Sequence, residues 1–82
     1  MGTIEKPFEF GDILVVTEGI HSGKIGHYDD DDAGDRLVLY PTPPPKGARP
    51  YIMVSHRKVR KATPGELAEY KRQTATFFGY AI

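Results

Sequence analysis

Eighty-two residues, 39% of them hydrophobic and none of them cysteine, suffice for one small core of modest stability; disulfide staples, thiolate metal sites and a cysteine nucleophile are excluded. The longest uncharged apolar run, Ile13 to Val16, is far short of a signal peptide or membrane span, so a cytoplasmic domain without membrane contact is the expectation. The formal net charge of zero conceals a segregation: residues 1–41 hold nine acidic against three basic residues, and residues 42–82 hold eight basic against two acidic, which predicts a polarised surface.

In chain order, Asp12 to Glu18 sets Leu14 and Val16 on one side of an extended chain and Ile13 and Val15 on the other, with a β-branched bias that favours strand over helix. Gly19, Gly23 and Gly26 follow at spacings of four and three, so Ile20-His21-Ser22 reads as a turn. Lys24 to Asp29 reads as a second strand. Gly26 within it predicts a bulge, a sharp bend or a neighbouring backbone pressed close. After the turn-rich DDDDAGD, Arg36 to Tyr40 alternates Leu37 and Leu39 against Val38 and Tyr40, a third strand closing a hairpin with the second. Pro41 to Pro50 (PTPPPKGARP) predicts a long loop, because proline removes backbone donors and biases the residues before it to extended conformations. Tyr51 to Val54 is a fourth strand, Ser55-His56-Arg57 a one-turn 3₁₀ segment, and Lys58 to Lys61 a short fifth strand around Val59.

The period then changes. Thr63-Pro64-Gly65-Glu66 has the arrangement of a capping box with proline at the first helical position, predicting a helix over about 64–75. Leu67, Tyr70, Thr74, Phe77 and Phe78 line one face of it. That face packs either on its own sheet or on a partner.

The pattern G-D-x-apolar-x-apolar-x-x-G-x-x-x-G-x-x-G-x-apolar, carried here by Gly11, Asp12, Leu14, Val16, Gly19, Gly23, Gly26 and Tyr28, resembles the KOW motif of SH3-like barrels, with Tyr28 standing where that motif usually has valine. The resemblance covers about eighteen residues. It implies a mainly β fold, a five-stranded SH3-like barrel over about 8–62 with a C-terminal α-helix, all within one domain of residues 1–82. In it Gly11, Gly19, Gly23 and Gly26 would serve as structural turns. It also implies a binding module that meets RNA, or sits on a ribosome or transcription complex.

Among residues with chemistry, the run from Lys46 to Lys61 is the strongest functional signal. Lys46, Arg49, Arg57, Lys58, Arg60 and Lys61 occur there with no acid, alongside Tyr51 and His56. Cations suit phosphates and aromatic rings suit unpaired bases, so the mixture fits RNA or another single-stranded nucleic acid. Asp29 to Asp32 with Asp35 lack the ligand alternation and closing glutamate of an EF-hand and read as a solvated hairpin tip. His21, His27 and His56 have no metal-site spacing. Ser22 and Ser55 are merely adjacent to histidines, which on a strand points the side chains apart. No catalytic residue, metal or cofactor is expected. PTPPPK could dock on an SH3 or WW domain, but a stiffened loop is the simpler reading. The alternative to RNA is a protein-interaction adaptor, of accessory or immunity type, without nucleic-acid affinity. Neither the oligomeric state nor the identity of a partner follows from the sequence.

Overall fold

The alternation in Ile13–Val16 builds the middle of a sheet. A computed structural model of the chain describes residues 6–42, 47 and 49–78, with helix side chains described as far as Thr74. It contains β1 (Ile13–Val16), β2 (Ile25–Asp31), β3 (Arg36–Pro41), β4 (Ile52–Ser55), a one-turn 3₁₀ helix (His56–Lys58), β5 (Val59–Lys61) and α1 (Pro64–Phe78). The strands form one antiparallel sheet in the order β4-β3-β2-β1-β5. β4 and β5 are its edges, and among the described residues no ladder joins them. The fold is therefore mainly β, an open five-stranded sheet with a C-terminal helix, rather than a barrel closed by hydrogen bonds.

One face of the sheet holds the core. Leu14 and Val16 of β1, Tyr28 of β2, Leu37 and Leu39 of β3, Ile52 and Val54 of β4 and Val59 of β5 are buried together, with Phe8 packed against them. Leu14, Leu37, Leu39 and Val16 are fully buried, each contributing roughly 1.5–3 kcal/mol by removal from water. Tyr28 also receives the edge of Phe10, with ring centroids 5.0 Å apart.

Gly26 lies on this core side of β2, opposite Pro41. A Cβ at Gly26 would stand 2.5 Å from the Tyr40 carbonyl oxygen and 2.7 Å from both the nitrogen and the Cα of Pro41. Of the three expectations for this glycine, the pressed backbone is the one found; the bulge in β2 falls between Tyr28 and Asp30 instead. Gly11, Gly19 and Gly23 all have positive φ. Gly19 and Gly23 bracket the β1–β2 turn, which is closed by the Gly23 N–H donating to the Val16 carbonyl at 2.8 Å. The Asp12 carboxylate of the motif accepts from the Glu9 N–H at 3.0 Å, fixing the turn that leads into β1.

Several boundaries differ from the sequence-based expectation, most by a single residue. β2 runs on past Asp29, its expected end, through Asp30 and Asp31, because the bulge re-registers the pair and cations meet the carboxylates. Lys6, buried, places its ammonium 3.3 Å from Asp31 Oδ1 and donates to the Gly34 carbonyl at 3.2 Å. Arg36 pairs with Asp32 at 2.7 Å. Likewise Pro41 ends β3 instead of opening the loop, since a strand's last residue need not donate a ladder bond. Thr42 follows it, buried, donating to the Ile25 carbonyl at 3.1 Å. Half of the expected proline loop, residues 43–46 and 48, lies outside the described residues.

The capping box forms as expected. Thr63 Oγ1 accepts from the Glu66 N–H at 3.2 Å, and Glu66 Oε1 accepts from the Thr63 N–H at 2.8 Å. Arg60 of β5 then forks onto both Glu66 oxygens at 2.8 Å, tying the helix start to the sheet edge. With no proline or glycine between Gly65 and Gly79, α1 runs three residues beyond the expected end. Tyr70 is buried, as is Val15 on the sheet face opposite the core, and the Tyr70 hydroxyl lies 3.4 Å from Nδ1 of His27, so Tyr70 of α1 packs on its own sheet. The continuation of the expected apolar face through Phe77 and Phe78 lies outside the described side chains.

A pH dependence follows from the cap. The Arg60 guanidinium, then the Thr63 N–H, hold the Glu66 carboxyl down from its ordinary 4.5 to about 2. A lowered pKa means that the tie is complete above pH 4.5 and is lost as pH falls through about 2. The helical circular-dichroism signal should therefore hold to well below pH 4 in the wild type. In Arg60→Gln its loss should move up toward pH 4.5. Coincident acid transitions in the two proteins would show that the fork does not anchor the helix.

Candidate nucleic-acid interface

The basic run does not assemble into one patch. Arg49 and Tyr51 precede β4, whose four residues span about 13 Å. His56, Arg57 and Lys58 follow at its far end, in the 3₁₀ turn. Arg60 and Lys61 lie on β5, at the opposite edge of the sheet; Lys46 lies outside the described residues. Partners divide the cations further. Arg60 is committed to Glu66, and Lys61 stands 3.8 Å from Asp12. Arg49, Arg57 and Lys58 are exposed, and among the described residues they form no ion pair.

The 3₁₀ turn is built by Ser55. Its Oγ accepts from the Arg57 N–H at 3.2 Å and donates to Asp35 Oδ2 at 2.7 Å, while the His56 N–H donates to the Asp35 carbonyl at 2.8 Å. The Ser55 hydroxyl, with Arg57 and His56 alongside, holds the Asp35 carboxyl below the usual carboxylate range. Ser55 is thus a structural cap that presents Arg57 and Lys58 outward. His56 is half-buried, its Nε2 enclosed without a partner among the described residues.

The arrangement that sequence reasoning missed is a cross-strand aromatic row. On the sheet face opposite the core, His27 of β2 and Tyr40 of β3 are register partners. Their rings stack with centroids 5.3 Å apart and an interplanar angle of 15°. Tyr40 meets Tyr51 at 5.7 Å, tilted by 53°, and the Arg49 guanidinium lies 5.9 Å from the centre of the Tyr51 ring. At the other end His27 Nδ1 is 3.4 Å from the hydroxyl of Tyr70 on α1. Period-two alternation already places His27 and Tyr40 off the core face. Their pairing could not be read without the register.

The acidic hairpin is more structured than a solvated tip. Tyr28, the departure from the KOW pattern, donates its hydroxyl to Asp31. Burial, that hydrogen bond and the negative charges of Asp31 and Asp30 all push its pKa up. Asp31 thus binds Tyr28 and Lys6 together, leaving Asp29 and Asp30 as the exposed acids. Among the described residues no group of three or more metal-ligating side chains is placed to hold an ion. An open cleft of about 330 Å³ lies between the β1–β2 turn and the Asp35–Ser55 lock, with Lys58, Ile20 and Met53 on its walls. No helix among the described residues is long and apolar enough to cross a membrane.

These features define a small, mainly β protein with a cation-tipped aromatic row across its sheet. No protein-family model and no curated protein matches the chain.

Proposed function

We propose that the chain is a non-catalytic SH3-like barrel module, similar to KOW domains, that binds single-stranded RNA, alone or within a ribosomal or transcription complex. The barrel reading is supported by the strand order, by the close crossing at Gly26 and by the 3₁₀ turn that links the two edge strands. In that turn the Lys58 carbonyl accepts from both the N–H and the hydroxyl of Thr17, at 2.7 and 3.0 Å, extending the β1–β5 pairing one position beyond Val16 and Val59. The RNA reading is carried by the aromatic row with Arg49 at its end. Rings and a guanidinium suit unpaired bases, and the exposed Arg57 and Lys58 suit phosphates. A net charge of zero keeps long-range attraction weak, so the affinity must come from local contacts.

Three exposed cations set the expected salt dependence. At about −0.7 per phosphate neutralised on a single strand, the slope of log affinity against log salt is about −2. Anisotropy titration of a labelled single-stranded RNA should show that slope, and it should fall by more than half in Arg57→Glu/Lys58→Glu with the fold retained. Absence of binding at low salt, where the electrostatic term is largest, would overturn the reading. The adaptor reading would then take its place, favoured by the open cleft and by Ile20, 93% exposed on its wall.

A further inference from the structure

The aromatic row has two unlike ends. At one, His27 is held by Tyr70 of the helix and by the stacked ring of Tyr40, so the row is anchored from within the fold. At the other, Tyr51 stands beside the start of β4, an edge strand of the sheet. It is half-buried, and the group over its ring is the exposed Arg49. A guanidinium at 5.9 Å is near the outer limit of about 6 Å for a cation–π contact. The contact is weak, and among the described residues Arg49 forms no ion pair that would hold it there.

From this we propose that an unpaired nucleobase continues the row at its Tyr51 end, stacking on the Tyr51 ring and taking the Arg49 guanidinium onto its own far face. The proposal rests on the RNA reading and deepens it: this face selects bases in a single strand, not phosphate alone. A planar, delocalised guanidinium stacks on a base as readily as on tyrosine, so Arg49 exchanges one aromatic partner for another. The rings behind Tyr51 are already ordered by each other and by the helix, so little side-chain freedom is lost when a base arrives. A base paired in a duplex has both faces occupied by its neighbours and is excluded. The two cations at the far end of β4 then meet the backbone of the same strand.

The test compares a short labelled oligoadenylate with an abasic oligomer of the same length, which has the same phosphates and no bases. The wild type should bind oligoadenylate about tenfold more tightly, as expected for one stacked base, with quenching of tyrosine fluorescence. Tyr51→Ala should bind the two oligomers equally, while Tyr51→Phe should keep the preference. Arg49→Gln should reduce the preference with less risk to the fold, which circular dichroism would monitor in every variant. Equal binding of the two oligomers by the wild type, or an unchanged preference in Tyr51→Ala, overturns the stacking proposal and leaves the RNA reading standing. If neither oligomer binds at low salt, both fail.

Discussion

Gly26→Val should unfold the domain, and Gly26→Ala should already lower its stability by about 3 kcal/mol or more. Overpacking usually costs about 1–3 kcal/mol because side chains can shift. Here the obstacles are the carbonyl oxygen of Tyr40 and the backbone of Pro41, which cannot move without opening the β2–β3 ladder. Total stability for a chain this short lies toward the low end of about 5–15 kcal/mol, so the valine variant leaves little. Gly23→Ala is the control. Nothing stands within 4 Å of its Cβ, and only the positive φ opposes it, at roughly 1–2 kcal/mol. Urea unfolding of the three variants would measure the order; a Gly26→Ala midpoint at or above that of Gly23→Ala would show that β2 and β3 are not pressed together there.

The second large effect is expected at Lys6. Its side chain is 1% exposed, and its ammonium meets Asp31 as well as the Gly34 carbonyl. Lys6→Met keeps the apolar stem and deletes the charge, leaving Asp31 with the Tyr28 hydroxyl beside a run of aspartates. Breaking a buried pair on one side costs about 3–5 kcal/mol. The lower end applies, because the Asp31 side chain is 28% exposed and water relieves part of the loss. Removing the carboxylate as well should recover part of it, so Lys6→Met/Asp31→Asn should be less destabilised than the two single changes summed. Strict additivity would mean that Lys6 contributes only packing.

Much of the fold could be read from local chemistry. Leu14/Val16 and Leu37/Leu39 alternate against a single core, and the pairs appear where the period placed them. The box at Thr63 and Glu66 formed because its partners lie within one helical turn. Contacts between distant residues were not readable in this way. Lys6 reaches a hairpin more than twenty residues away, and Arg60 leaves the basic run for a carboxylate on the next element. The run from Lys46 to Lys61 looked like one patch because its members are close in sequence. An extended strand between Arg49 and Arg57 holds its two ends apart, and a sheet then sets β5 on the opposite edge. Conversely, His27, Tyr40 and Tyr51 are scattered in sequence and joined by register, which the bulge at Asp29 helps set. Closure into a barrel was expected from the glycine pattern, yet glycines determine where the chain can bend and not whether the two edges hydrogen-bond.

The most direct measurement of single-stranded RNA binding on the aromatic row is a nitrogen-15 NMR titration of the chain with oligoadenylate at low salt. Amide shifts should concentrate at Arg49, Tyr51, Tyr40 and His27, with weaker changes at Arg57 and Lys58, while the hairpin at Asp29 and Asp30 stays still. Shifts confined to the β1–β2 turn and the cleft beside it, or an unchanged spectrum, would contradict the assignment of RNA binding to this face.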